Sequence, residues 1–114
     1  MEVPGGKQNL GYVLLFEAIG TANLLYAINT SSSDGGHLQP FAIGLTIFGN
    51  ICIFGNTSGG HFNPAVTLGV LIAEGREKLL GNIPYAIAII FAQLVGATAG
   101  CLSTLYSQYY LPDG

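Results

Sequence analysis

Residues 58–67 read Ser-Gly-Gly-His-Phe-Asn-Pro-Ala-Val-Thr, and the predicted fold depends on this stretch. The glycine pair suits a tight turn, and Asn63 is a favourable N-cap residue directly before a proline at the first helical position. A helix is therefore predicted to begin at Pro64. Because no charge follows until Glu74, the helix should have about ten residues and a length of roughly 15 Å.

This predicted helix is too short to cross a membrane, whose hydrocarbon core is about 30 Å thick. An apolar helix of half that length, entered through Gly-Gly-His, fits a re-entrant segment over residues 58–74 whose N-terminus lies near the membrane midplane. The N-terminus of such a helix carries unpaired N–H groups and a partial positive charge. The stretch thus predicts a polar point in the middle of an apolar structure.

The composition of the 114-residue chain indicates a membrane protein. Half of the residues are hydrophobic and only 8% are charged, whereas a soluble surface has about a quarter to a third charged residues. Three Lys and Arg residues in a net charge of −3 leave no basic patch for nucleic acid. We find no metal-ligand spacing, cofactor motif, nucleophile–base pair or phosphate loop, so we predict no metal, no cofactor and no enzyme.

Three apolar stretches, about residues 10–28, 41–56 and 83–106, are predicted to span the membrane. The predicted fold is an all-α membrane protein with three transmembrane helices plus one re-entrant half-helix. Its orientation follows from the basic residues, which are listed here: Lys7, Arg76 and Lys78. They precede the first span or follow the half-helix, which places the N-terminus in the cytoplasm.

The stretch 58–67 resembles the signature Ser-Gly-x-His-x-Asn-Pro-Ala-Val-Thr of the aquaporin family (major intrinsic proteins), with Gly60 where Ala is commonest. Residues 17–21, Glu-Ala-Ile-Gly-Thr, are similar to the Glu-x-x-Gly-Thr of that family's first helix. Residues 92–97, Ala-Gln-Leu-Val-Gly-Ala, are similar to the pattern of its third helix. The resemblance implies that residues 1–114 form the first repeat of an aquaporin-like fold, in a multi-pass protein expected at the plasma membrane.

The resemblance also implies a function and a set of pore residues. The function is a passive channel for water or small uncharged solutes such as glycerol, which excludes ions and protons. The pore motif would be Asn63, Pro64 and Ala65, and the pore-lining loop would be Gly59, Gly60 and His61. His61 has two equal interpretations, as an acceptor in the pore or as a core histidine that only shapes the loop.

The resemblance assigns Ile43 to the selectivity-filter position on the second span. Water-selective members of the family usually carry an aromatic residue or histidine there, so Ile43 leaves a broader solute range open. Glu17 and Gln93 are polar groups inside separate spans, where such groups usually face the protein interior. We expect both to brace the re-entrant loop by hydrogen bonds to its backbone over residues 58–63. The alternatives are a Glu17 that reaches the headgroups and a Gln93 amide on the surface.

The resemblance covers only the first of the family's two inverted repeats, and a second Asn-Pro-Ala and the filter arginine after it are absent. The implied partners are the lipid bilayer, a second half that is covalent or separate, and a homotetramer of complete channels. We expect no conduction by the chain alone, because one half-helix would leave irregular backbone facing lipid. The alternative function is a non-conducting truncated protein that acts as a partner or regulatory subunit.

Overall fold

The structure, a computed structural model, describes residues 9–32 and 36–110. The described residues form four helices and no strand: α1 (Leu10–Ser31), α2 (Gln39–Ser58), α3 (Pro64–Ala73) and α4 (Arg76–Tyr110). Three of them, α1, α2 and α4, are long and apolar enough to cross a membrane, whereas α3 has only 10 residues. The predicted all-α fold with three spans and one half-helix is confirmed. Lys7, used in the predicted orientation, lies outside the described residues.

The helices extend beyond the predicted apolar spans. α1 continues to Ser31, α2 covers Gln39–Ser58, and α4 begins at Arg76 rather than near residue 83. The difference arises because the bilayer limits the length of the apolar run, whereas backbone hydrogen bonding continues into the polar flanks. Pro84 lies inside α4 without ending it, as membrane helices tolerate when neighbouring groups satisfy the freed carbonyl.

Local sequence explains where α2 ends and α3 begins. Gly59 follows α2 with φ of 90°, and its N–H donates to the carbonyl of Gly55 at 3.0 Å. A left-handed residue in this position is a common helix C-terminus, and glycine adopts it without steric cost. α3 begins at Pro64 behind the N-cap Asn63, where the sequence predicted it.

α1 lies between α2 and α4, and α3 packs against α4. Two glycines of α4 allow it to approach α1 closely, since a Cβ at Gly96 would collide with the carbonyl of Ala18 and one at Gly100 with that of Ala22. Because the residue numbers increase in the same direction along both helices at these two contacts, α1 and α4 run parallel. Small residues at such a contact let membrane helices associate through backbone packing.

α2 runs antiparallel to α1 and is attached to it by side-chain amides and aromatic rings. Gln39 Nε2 donates to the carbonyl of Ile28 at 3.1 Å, near one end of the pair. The rings of Phe16 and Phe54 lie 5.0 Å apart, near the other end. The outer surface of α2 is exposed, and a Cβ at Gly44 would meet nothing within 4 Å.

Candidate functional site: the turn before the half-helix

The turn between α2 and α3, residues 59–63, folds toward α1 through three left-handed residues. Gly59 and Gly60 have φ of 90° and 70°, and Phe62 has φ of 47°. Glycine accepts this conformation readily, whereas a bulky residue is strained in it and needs compensation from its surroundings. Phe62 is only 3% exposed, so its burial supplies that compensation.

The ring of Phe62 occupies the space that a side chain at residue 20 would fill. A Cβ built on Gly20 would collide with the Phe62 ring, so α1 must have glycine at this point. Phe54 of α2 packs edge-on against the same ring, with centroids 6.4 Å apart and planes at 74°. Phe62 therefore anchors the turn between α1 and α2. The sequence interpretation missed it, and an aromatic residue directly before Asn63 was the only signal.

Glu17 of α1 is fully buried and accepts three hydrogen bonds. Its Oε1 accepts from the backbone N–H of His61 at 3.0 Å, and its Oε2 accepts from that of Phe62 at 2.7 Å. Oε2 also accepts from Nε2 of Gln93 at 2.8 Å. Bonds to an ionised acceptor are roughly twice as strong as neutral ones, so this carboxylate is well suited to hold the turn. That role remains a prediction.

Gln93 reaches the turn indirectly rather than through the backbone bond that the sequence suggested. Its Nε2 donates to Glu17 Oε2 and, at 3.0 Å, to Oγ1 of Thr67. The reason is the packing order, in which α4 contacts α1 and α3, so the amide meets side chains of those helices before it reaches the loop. Gln93 is fully buried and orients the two groups that touch the turn.

Thr67 is a further member of the site that the sequence interpretation did not single out. Its Oγ1 donates to the carbonyl of Asn63 at 3.2 Å and lies 3.2 Å from Nδ1 of His61. The sequence contained a signal for this contact, because Thr67 follows Asn63 by four residues and residues four apart lie on the same side of a helix. A continuous polar chain, Glu17–Gln93–Thr67–His61, thus joins α1, α4, α3 and the turn.

Asn63 uses one end of its amide to cap α3 and leaves the other end exposed. Oδ1 accepts from the N–H of Ala65 at 2.8 Å, and the residue is exposed. Within residues 9–32 and 36–110 its NH₂ group has no hydrogen-bond partner. Pro64 is half-buried and Ala65 is exposed in the first turn of α3. The half-helix therefore presents an amide donor at its positive end.

The remaining predicted site residues lie along the turn or on α2. Gly59 is exposed, and Gly60 and His61 are half-buried along the turn. Ile43 is half-buried on α2, fifteen residues before the last residue of that helix. In the part of the chain that the structure describes, no group of three His, Cys, Asp or Glu residues could hold a metal ion.

Three helices long and apolar enough to span a membrane and a half-helix capped by Asn63 are the features of an integral, multi-pass membrane protein. Sequence comparison is consistent with this, since the family model described as Major intrinsic protein matches residues 9–111. The chain belongs to the major intrinsic protein family, which comprises membrane channels rather than enzymes.

Several curated relatives are aquaporins. The chain is 43% identical over 103 residues to Aquaporin-8 of Notomys alexis, covering 86% of the chain and 39% of that relative. It is 46% identical over 56 residues to Aquaporin Z of Photorhabdus laumondii, covering 49% and 24%. It is 35% identical over 74 residues to an Aquaglyceroporin of Toxoplasma gondii, covering 65% and 27%. The chain spans about two fifths of the length of the first of these relatives, and no solved structure matches it.

Proposed function

We propose that the chain supplies one half of a membrane pore for water and small uncharged solutes. The observation that supports this most directly is Asn63, whose Oδ1 is consumed by the helix cap while its NH₂ group is exposed. A water or hydroxyl oxygen can accept from that group. The backbone N–H groups of His61 and Phe62 are bound to Glu17, which leaves the carbonyl oxygens of the turn to accept from the same solute.

We propose that the pore excludes cations and protons at this point. The N-terminus of α3 carries a partial positive charge, which opposes a cation. A water molecule that accepts from Asn63 is held in one orientation, so it relays protons poorly to its neighbours. The names of the relatives, which include aquaporins and an aquaglyceroporin, support water or a small polyol as solute, and Ile43 leaves the wider range open.

A complete pore requires a second half-helix that meets α3 at the midplane. A second half with its own Asn-Pro-Ala turn and a filter arginine would cover the exposed side of Asn63 and exclude lipid from the loop. We propose that this half is covalent or separate and that complete channels assemble as homotetramers. We also propose that these channels lie in the plasma membrane.

Osmotic swelling of liposomes tests the proposal. The chain alone should give the water permeability of protein-free liposomes, whereas the chain reconstituted with the C-terminal part of Notomys alexis Aquaporin-8 should exceed it. Asn63→Asp, which keeps an N-cap acceptor but replaces the NH₂ donor by a carboxylate, should lower water permeability of the pair by about tenfold or more. Thr98→Val, on the exposed face of α4, serves as control.

Two outcomes would contradict the pore proposal. High permeability from the chain alone would contradict the need for a second half. A pair that binds in detergent, inserts correctly and never conducts would instead favour a non-conducting partner subunit.

We also propose that the N-terminus and the C-terminal end of α3 face the cytoplasm. Arg76 and Lys78 follow α3 and are exposed, and basic residues favour the cytoplasmic side. In a background with Cys52 and Cys101 replaced by serine, Ser32→Cys should label with a membrane-impermeant thiol reagent from outside intact cells. Lys78→Cys should label only after permeabilisation. Labelling of both from the same side would exclude this topology.

A further inference from the structure

Asn50 is a buried polar residue in the middle of α2, with 4% of its surface exposed. Its Nδ2 donates to the carbonyl of Gly20 at 2.8 Å, and its Oδ1 accepts from Nδ2 of Asn23 at 3.3 Å. Polar side chains inside membrane spans are costly and usually have a function. None of the roles proposed above uses this pair of amides.

Asn50 binds the same residue of α1 that receives the turn. The ring of Phe62 lies against the Cα of Gly20, and Asn50 donates to the carbonyl of Gly20. A peptide carbonyl has two lone pairs, so it can accept from Asn50 and still keep its bond within α1. Asn50 of α2 and Phe62, the residue directly before Asn63, therefore both contact Gly20 of α1.

The position of Asn50 along α2 also determines where Ile43 lies. Seven residues separate the two, which is about two helical turns, so they share a face of one helix. Asn50 and Gln39 both hydrogen-bond from α2 to the backbone of α1. Gln39 lies at the end of α2, whereas Asn50 attaches the middle of α2 to α1.

We propose that Asn50, held by Asn23, is a positioning residue that sets the register of α2 on α1 and thereby the places of Ile43 and Asn63, which decide the solutes that pass. The inference rests on the proposed channel function. Loss of Asn50 removes its bond to the Gly20 carbonyl in the middle of α1, and a slip by one residue then moves α2 by about 1.5 Å along its axis.

The functional test compares glycerol and water permeability of the two-part assembly described above. Asn50→Leu should change the ratio of the two by about threefold or more, because the filter position and the Asn63 donor move relative to each other. A simple loss of folded channels lowers both permeabilities equally and leaves their ratio unchanged. The matched control is Thr46→Val, one turn away on the same face, whose Oγ1 donates to the carbonyl of Ala42 in its own helix at 2.8 Å. A wild-type ratio in Asn50→Leu would overturn the proposal.

A spectroscopic test needs only the 114-residue chain. Cys52 on α2 and Cys101 on α4 are both exposed, so spin labels on them report the place of α2 relative to the α1–α4 pair. Asn50→Leu should shift or broaden the label distance by about 1.5 Å or more, and Asn23→Leu, which keeps the bond to Gly20, should shift it less. An unchanged distance in Asn50→Leu would refute the register claim. Absence of permeability in the unsubstituted assembly would instead contradict the proposed function.

Discussion

Glu17→Leu is expected to abolish the folded protein in detergent. The substitution removes the acceptor of the buried Phe62 N–H and of the half-buried His61 N–H, and one of the two acceptors of Gln93 Nε2, which keeps its bond to Thr67. Each buried unsatisfied group costs about 1–3 kcal/mol, so the loss of about two such bonds, about 2–6 kcal/mol, is a large part of the stability of a typical domain. Size-exclusion chromatography of a fluorescent fusion, with heating, measures the loss directly.

Two further variants separate the buried acceptor from the charge. Glu17→Gln keeps one acceptor oxygen and should give folded protein that unfolds at a lower temperature than the parent. Glu77→Leu removes an exposed carboxylate from the first turn of α4 and should unfold like the parent. If Glu17→Leu unfolded at the parent temperature, Glu17 would not hold the turn.

The second large effect is expected at the contact between α1 and α4, where two alanine substitutions in one helix should act in opposite directions. Gly96→Ala introduces a Cβ that collides with the backbone of Ala18, whereas the Cβ of Gly81→Ala meets nothing within 4 Å. Overpacking costs about 1–3 kcal/mol. Replacing an open helical glycine by alanine stabilises by about 0.5–1 kcal/mol. Thermal unfolding of both variants beside the parent measures the two effects.

The sign of the difference is the decisive result of that comparison. Gly96→Ala should unfold at a lower temperature than the parent, and Gly81→Ala at the same or a higher one. Equal destabilisation by both would mean that glycine matters in α4 for its flexibility rather than for close packing. A stabilised Gly96→Ala would contradict the approach of the two helices.

The parts of the structure that could be predicted from the sequence are those that local chemistry controls. The start of α3 could be predicted from two adjacent residues, Asn63 and Pro64. The Asn63 side chain accepts a hydrogen bond from the first turn, and proline has the φ that a first helical residue needs. The three spans could be predicted because a helix that crosses a bilayer needs a run of about 20 apolar residues, which is visible in the sequence. Glu17 was noticed because a carboxylate in an apolar run needs a partner inside the protein.

The parts that could not be predicted depend on contacts between distant residues. Gln93 was expected at the loop backbone but bonds Glu17 and Thr67, and only the order in which the helices pack decides between these partners. Phe62 is one of many apolar residues in the chain. Its left-handed backbone conformation could not be predicted because it depends on the space that Gly20 of α1 leaves for the Phe62 ring. Asn50 reads as one polar residue in a glycine-rich span until α1 is placed beside it.

The packing of α3 has a consequence for the order of events during biosynthesis. Among the described helices, α3 contacts α4 alone, and its buried Thr67 bonds Gln93, which lies 26 residues further along the chain. While the ribosome is still synthesising α4, α3 has neither its packing surface nor its hydrogen-bond partner. Glu17 is synthesised earlier, with α1. Its hydrogen-bond donors follow in the sequence, first in the turn and then in α4. We therefore expect the half-helix to reach its final position only after the span that follows it in the sequence has been made.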